Sequence, residues 1–413
     1  MAIIRPFKAV RPIPEKAAAV AALPYDVYNR EEAAAKVYGD YDTFLRVDRP
    51  ESTMDPRINM YDQYVYEQAQ KNLRKLFDRH VLIQDEKPHL YIYELVMDGQ
   101  SQVGLVTCTS IDEYLDNTIK KHELTRAEKE KDRINHVDYL DANTGPIFLT
   151  YRNQESINAL IASEMKQTPI YDFVAEDGIT HRCWMIEDEA VMKTLVQAFS
   201  EIGSLYIADG HHRAASAAKV ALKRRQEHPD YKGDEEFNYF LSVLFPDKQL
   251  RVLDYNRVVR DLNGLSKETF LKQLEEKFVV EEKGNNPVKP EKKATFGMFL
   301  DNQWYLLSAK EGIYDVEDPV NRLDVAILQN NLLTPILEIG DVRTDDRIDF
   351  VGGIRGLKEL ERRCSTDMTV AFSMYPTGID ELMAIADAQL LMPPKSTWFE
   401  PKLRSGLFIH QLH

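Results

Sequence analysis

Two rhythms of apolar residues alternate along this chain, and turn-forming residues punctuate them. Leu90–Val96 and Val103–Ser110 read as strands joined at Asp98-Gly99, a dipeptide suited to a tight hairpin. The same arrangement recurs at Ile170–Glu176 and His181–Ile186 around Asp177-Gly178, and at Ala294–Leu300 and Gln303–Ser308 around Asp301-Asn302. Further strands are expected at Pro146–Tyr151, Leu205–Ala208, Tyr239–Phe245, Asp349–Gly353 and Thr369–Ser373. Helical spacing occupies residues 57–79, where Tyr61, Tyr64, Val65, Leu73, Leu76 and Phe77 predict a packed stripe. Helices are also expected over Glu187–Ile202, from residue 211 to about Glu227, over Leu265–Lys277 behind Ser266, and over Leu323–Ile339 and Ile379–Ala388. Asn29 reads as the cap of another, beginning Arg30-Glu31-Glu32. Strands and helices interleave without repeats, which predicts an α+β protein with one domain over residues 1–255 and an α+β domain over 256–413.

The junction Leu205-Tyr-Ile-Ala-Asp209-Gly210-His211-His212-Arg213 carries the most chemistry. A strand that stops at glycine and turns at once into a helix presents backbone N–H groups and the positive end of the helix dipole. An anion, above all phosphate, suits that position. Gly210 permits the sharp turn, and Arg213 could grip phosphate oxygens through two parallel hydrogen bonds. His211 or His212 could donate to the phosphate or act as acid or base. Asp209 could hold Mg²⁺, orient a histidine or simply cap the helix. Neither GxxxxGK[ST] nor GxGxxG is present here, so this is not a P-loop.

Two further clusters are candidates. His122-Glu123 and Thr125, with Lys131-Asp132-Arg133, concentrate titratable groups in a polar stretch. Glu123 could deprotonate a hydroxyl, with His122 as an alternative acid or base, and Lys131 and Arg133 could offset phosphoryl charge. A solvated, charge-laced helix would have the same composition. In the tail, Lys395 and Ser396 on a proline-stiffened loop are candidate phosphate ligands, followed by Pro401-Lys402-Leu403-Arg404. Plain surface is the alternative there, so the tail is only a candidate to complete the site.

Composition narrows the options. A net charge of -15 disfavours non-specific nucleic-acid binding. Cys108, Cys183 and Cys364 are far apart and fit no zinc or redox spacing, which predicts a reduced, cytoplasmic protein. No apolar run reaches the roughly 18 residues of a membrane-spanning helix.

Several motifs together resemble one known family. They are Pro24-Tyr25-Asp26-Val27, His122-Glu123-x-Thr125, Lys131-Asp132-Arg133, Asn143-x-x-Pro146-Ile-Phe148, Ala208 to Arg213, and Met392-Pro-Pro-Lys-Ser-Thr-Trp-Phe-x-Pro-Lys-Leu-x-Ser-Gly-Leu407. In that order they resemble domain of unknown function 1015. Asp209-Gly210-His211-His212-Arg213 also resembles the phosphate motif of the ParB/sulfiredoxin superfamily, in the form most similar to free serine kinases. That resemblance implies a mixed sheet with helices in the N-terminal domain, a nucleotide (ATP or ADP) with Mg²⁺, and serine or O-phosphoserine as substrate. It implies a catalytic glutamate, assigned to Glu123 with Glu31 as the alternative. Sulfiredoxins place a cysteine in the motif and this chain has none there; no DNA-binding helix pair is located. The expected function is therefore phosphoryl transfer on a small hydroxylated metabolite, in either direction. A non-catalytic, nucleotide-binding regulator is the alternative.

Overall fold

The computed structural model describes residues 2–123, 125 and 127–413, with the backbone alone at 127–129. The protein is α+β. It divides into two compact units: Met1–Lys121 with Thr125–Leu250 and Pro401–His413, and His122–Leu124 with Arg251–Glu400. The chain leaves the first unit at Leu250 and returns at Pro401, so residues 401–413, assigned from sequence to the second domain, belong to the first unit.

The first unit is built on a mixed sheet. Its strands run in the order Ile119–Lys120, Leu205–Asp209, Ile147–Tyr151, Tyr239–Pro246, Gln100–Ser110, Leu90–Met97, Thr180–Ile186 and Tyr171–Val174, with Ile4–Arg5 also paired to Gln100–Ser110. Leu205–Asp209 runs parallel to Ile119–Lys120, and Tyr239–Pro246 parallel to Ile147–Tyr151; the other pairs are antiparallel. Asp98 and Gly99 both adopt positive φ, +53° and +78°, which matches the twist of a two-residue hairpin. Helix His211–Glu227 buries Ala214, Ala217, Ala218 and Ala221 in the same core as Leu149 and Ile207 of the sheet. Its small side chains let helix and sheet backbones lie close.

A second apolar cluster lies under helix Gln63–Asp78, where Val65, Tyr66, Ala69, Leu73 and Leu76 are buried. Tyr61 and Tyr64 are exposed, contrary to the packed stripe expected from their spacing. The helix starts late because Asp55 Oδ1 accepts the Arg57 N–H and Asn59 Oδ1 accepts the Tyr61 N–H, which holds these residues in turns.

The second unit carries an antiparallel sheet in the order Phe278–Gly284, Gln303–Ala309, Thr295–Leu300, Val370–Ser373, Tyr255–Val259 and Ile348–Gly352. The single helix expected over residues 323–339 is instead an α-helix at Asp324–Leu328 that widens into a π turn at Gln329–Leu333. Asn331 Nδ2 donates to the Ile327 carbonyl (3.0 Å), and the Thr334 N–H reaches back to Gln329 (2.9 Å). Such side-chain competition for helical carbonyls disturbs the regular ladder. Among the described residues no helix is long and apolar enough to cross a membrane.

Candidate anion-binding site

Leu205–Asp209 pairs with Ile147–Tyr151, and its register slips between Ile207 and Asp209. The extra residue, Ala208, makes a bulge, a device that re-aims the side chain following it. Gly210 then adopts φ +96° and ψ 29°, and the helix begins at His211. The first amides of any helix lie outside its own hydrogen-bond ladder, so a helix start of this kind suits an anion.

Asp209 organises the junction. Its Oδ1 accepts the Gly210 N–H at 2.9 Å; its Oδ2 accepts Lys402 Nζ at 3.3 Å and lies 3.8 Å from Arg213 Nη2. Burial opposes ionisation of this carboxyl, but Lys402 and Arg213 outweigh it and hold it well below the usual carboxylate range. The buried His211 behaves differently. Desolvation pushes its pKa down to about 4 despite the neighbouring Asp209, so the imidazole is neutral at pH 7. His211 therefore offers a hydrogen bond there and no positive charge. His212 is half-buried, and its carbonyl accepts Ser216 Oγ at 2.5 Å.

Arg213 is not the open hand its sequence position suggests. Its Nη1 donates to the Pro146 carbonyl at 2.6 Å. Gly145 allows that approach, because a Cβ there would lie 2.9 Å from Ser405 Oγ and 3.4 Å from Arg213 Nη1. Lys402 reaches Asp209 because the final segment is stitched into this unit. Ser405 exchanges backbone hydrogen bonds with Ala22, Gly406 N–H donates to Thr144, and Ile409 pairs with Val10.

Arg213 lines a small cavity of about 30 Å³, together with Tyr25, Arg133 and His136. That is space for about two waters. A second cavity of about 150 Å³ adjoins it and shares Tyr25, Arg133 and His136. Helix Ala127–Leu140 supplies Asp132, Arg133 and His136 to these walls, while Lys131 is turned out and exposed. The Arg133 guanidinium lies 4.1 Å above the Tyr25 ring, and its Nε and Nη2 contact Asp132 Oδ2 at 2.9 and 2.7 Å. Burial lowers the His136 pKa, and the nearby Arg133 adds to the shift.

The first unit thus holds Asp209, Gly210, His211, His212 and Arg213 at one junction and faces Arg133 towards the Arg213 cavity. Lys131 also lies in the first unit, exposed and away from these walls, and the second unit holds His122, Glu123, Lys395 and Ser396. There the His122 carbonyl accepts the Met392 N–H at 2.8 Å, and Glu123 follows it in the chain. Lys395, at φ +61°, places Nζ 5.5 Å above the Tyr255 ring. Ser396 Oγ donates to the Pro393 carbonyl at 2.5 Å, so its only proton serves the local turn. Sequence reasoning passed over His136, Arg49 and Glu51. Positions 132, 133 and 136 share one helix face, a spacing that could have drawn attention to the first.

The fold is α+β, with a strand–glycine–helix junction of the type that receives anions. The chain belongs to the DUF1015 family of proteins of unknown function, which it matches over residues 4–326. No curated protein matches it. Solved structures with some likeness include a conserved hypothetical protein from Pyrococcus furiosus, 14% identical, covering 73% of this chain and 94% of that one with a TM-score of 0.36. C-terminally truncated SbnI from Staphylococcus aureus is 11% identical, covering 73% and 85% with a TM-score of 0.39. A free serine kinase in complex with AMP is 14% identical, covering 73% and 91% with a TM-score of 0.35.

Proposed function

We propose that this protein is a phosphotransferase that holds a nucleotide phosphate at the start of helix His211–Glu227 and acts on a small hydroxylated metabolite. Serine or O-phosphoserine is the preferred substrate, because Asp209–Arg213 resembles the motif of free serine kinases. The observation that carries the reading is the junction itself: a bulged strand, a left-handed Gly210 and a helix start, with Arg213 and Lys402 both anchored beside it on Asp209. Phosphoryl transfer depends chiefly on positioning and on stabilising charge at the transferring oxygens. Cations already fixed in place supply both with little reorganisation. In the forward direction the substrate oxygen bonds to phosphorus, the bridging P–O bond of ATP or ADP breaks, and the hydroxyl proton passes to a base. That base is assigned to Glu123 from the sequence.

Mg²⁺ fits Asp209 poorly. One carboxylate oxygen accepts the Gly210 N–H, and the other faces the Lys402 ammonium, which a second cation would have to displace.

The test pairs binding with turnover. Calorimetry with ADP and ATP is expected to show binding that Arg213→Ala weakens. Serine with ATP or ADP, and O-phosphoserine with ADP, are expected to give phosphoryl transfer that Glu123→Gln removes while nucleotide binding persists. Nucleotide binding without turnover in any combination would leave a nucleotide-binding regulator in place of an enzyme. Neither binding nor turnover would end both readings.

A further inference from the structure

The cavity of about 150 Å³ in the first unit has an unusual lining. Arg49, Glu51, Asp132 and Arg133 all contribute to it, and they are only 7%, 3%, 8% and 8% exposed. Charges buried this deeply are costly unless paired and hydrogen-bonded. They are paired, Arg49 with Glu51 and Arg133 with Asp132. Supporting bonds hold them rigid: Arg49 Nη1 donates to the Tyr25 and Tyr28 carbonyls at 2.7 and 2.6 Å, and Tyr66 donates to Asp132 Oδ1 at 2.9 Å.

The pairing leaves capacity unused. Among the described residues, neither Arg133 Nη1 nor Glu51 Oε2 has a hydrogen-bond partner. One is a donor and the other an acceptor, of opposite charge, lining one cavity with tyrosine walls. By volume the cavity holds roughly ten water-sized groups, enough for the about seven non-hydrogen atoms of a small amino acid. It is far below the several hundred Å³ of a pocket for a larger ligand.

We propose that this cavity binds a free α-amino acid as its zwitterion, the carboxylate on Arg133 and the ammonium on Glu51. A small hydroxyl-bearing side chain fits the remaining space. The wall shared with the Arg213 cavity, made by Tyr25, Arg133 and His136, places that amino acid next to the arginine of the proposed phosphate site. The proposal deepens the phosphotransferase reading and rests on it only for what becomes of the hydroxyl.

The test uses the full-length protein without nucleotide. Calorimetry with L-serine, glycerate and ethanolamine removes first the ammonium and then the carboxylate. L-serine is expected to bind, and each analogue to bind at least about tenfold more weakly, as when a charged partner in a buried site goes unmatched. Analogues as tight as serine, or no serine binding up to about 10 mM, a dissociation constant too weak for a specific site, would overturn the proposal. Met60→Trp, at the lining but outside the charge pairs, is expected to abolish serine binding and spare ADP binding. Unchanged serine affinity in that variant would place the site elsewhere and also overturn it. The two readings fail separately. Serine binding without phosphoryl transfer removes the phosphotransferase and keeps this site. Phosphoryl transfer to glycerate as readily as to serine removes this site and keeps the phosphotransferase.

Discussion

Gly210→Ala isolates the geometry on which the proposed anion site depends. At φ +96° and ψ 29° the residue lies beyond the small left-handed region open to side chains with a Cβ. Alanine there costs about 1–3 kcal/mol in backbone strain. The new Cβ would also lie 3.1 Å from Arg213 Nε and Nη2 and 3.2 Å from Cζ. The guanidinium must retreat by a few tenths of an ångström, and what it retreats from is its 2.6 Å bond to the Pro146 carbonyl. A weakened charge-assisted hydrogen bond adds about 1 kcal/mol, giving about 2–4 kcal/mol in all. That is within the usual stability of a folded domain, so the variant still folds.

Urea unfolding followed at Trp184 reports on the first unit. The same substitution in an Arg213→Ala background removes the contact and leaves the strain. The cost there is expected to fall by about 1 kcal/mol, the coupling between two touching groups. ADP binding is expected to weaken in Gly210→Ala, because the helix start and Arg213 move together. A cost below about 0.5 kcal/mol, the range of surface substitutions, would refute the strain argument. An equal cost in both backgrounds would refute the contact argument.

Other perturbations address other parts of the molecule. Burial pushes the pKa values of His181 and His211 down to about 3 and about 4, so between there and 6.5 the unfolded chain binds protons the folded chain does not. Their contribution is therefore complete above pH 6.5 and is lost as pH falls, by about 2 kcal/mol per histidine at pH 5; denaturation midpoints that stay flat from pH 7.5 to 5 would contradict this. Glu113 is the reverse case. Burial pushes its carboxyl up to about 7 even though both oxygens accept the Ile3 N–H at 2.8 Å, so its ionised form is disfavoured in the fold and stability declines as pH rises through 4.5 to 7. Glu113→Gln is expected to stabilise the protein by about 1–3 kcal/mol at pH 8 and to be near neutral at pH 4.5; equal effects at both values would disprove the assignment. In the second unit, a Cβ on Gly297 would lie 2.2 Å from Ser373 Oγ and 2.3 Å from the Val288 carbonyl oxygen, two atoms hydrogen-bonded to each other at 2.6 Å. Gly297→Ala should cost about 2–4 kcal/mol through overpacking and loss of that bond; ordinary stability would show that the sheet yields more easily than its packing implies.

What was legible in the sequence was local. Asp98-Gly99 and Asp301-Asn302 mark hairpins because these residues accept positive φ, and the structure gives them +53° and +78°, and +52° and +60°. Gly210 followed by an alanine-rich run marks the junction for a similar reason. Features set by distant returns of the chain were not legible. Pro401–His413 rejoins the first unit after the whole of residues 251–400, and only that return brings Lys402 to Asp209. Arg49 and Glu51 read as ordinary surface charges, and Asp132 and Arg133 as part of a polar cluster, because composition says nothing about burial. Their pairing becomes visible only once the Tyr25 loop and helix Ala127–Leu140 face each other across a cavity.

The charge at the junction sharpens the meaning of the motif. Asp209 is ionised and faces two cations, Lys402 and Arg213, so these three side chains carry a net charge of about +1 before the helix dipole contributes. The neutral His211 adds nothing to that sum at pH 7. With only Arg213 beside Asp209 the charges would nearly cancel, so the lysine from the returning tail is what leaves the junction net positive. Asp209 holds Lys402 and the Pro146 carbonyl holds Arg213, so both cations are already fixed in place, an arrangement that lowers the entropy an incoming ligand would lose. The overall charge of -15 does not describe this place. Local arrangement, two cations beside one carboxylate at a helix start, gives an acidic protein a net-positive junction of the kind the proposed phosphate site requires.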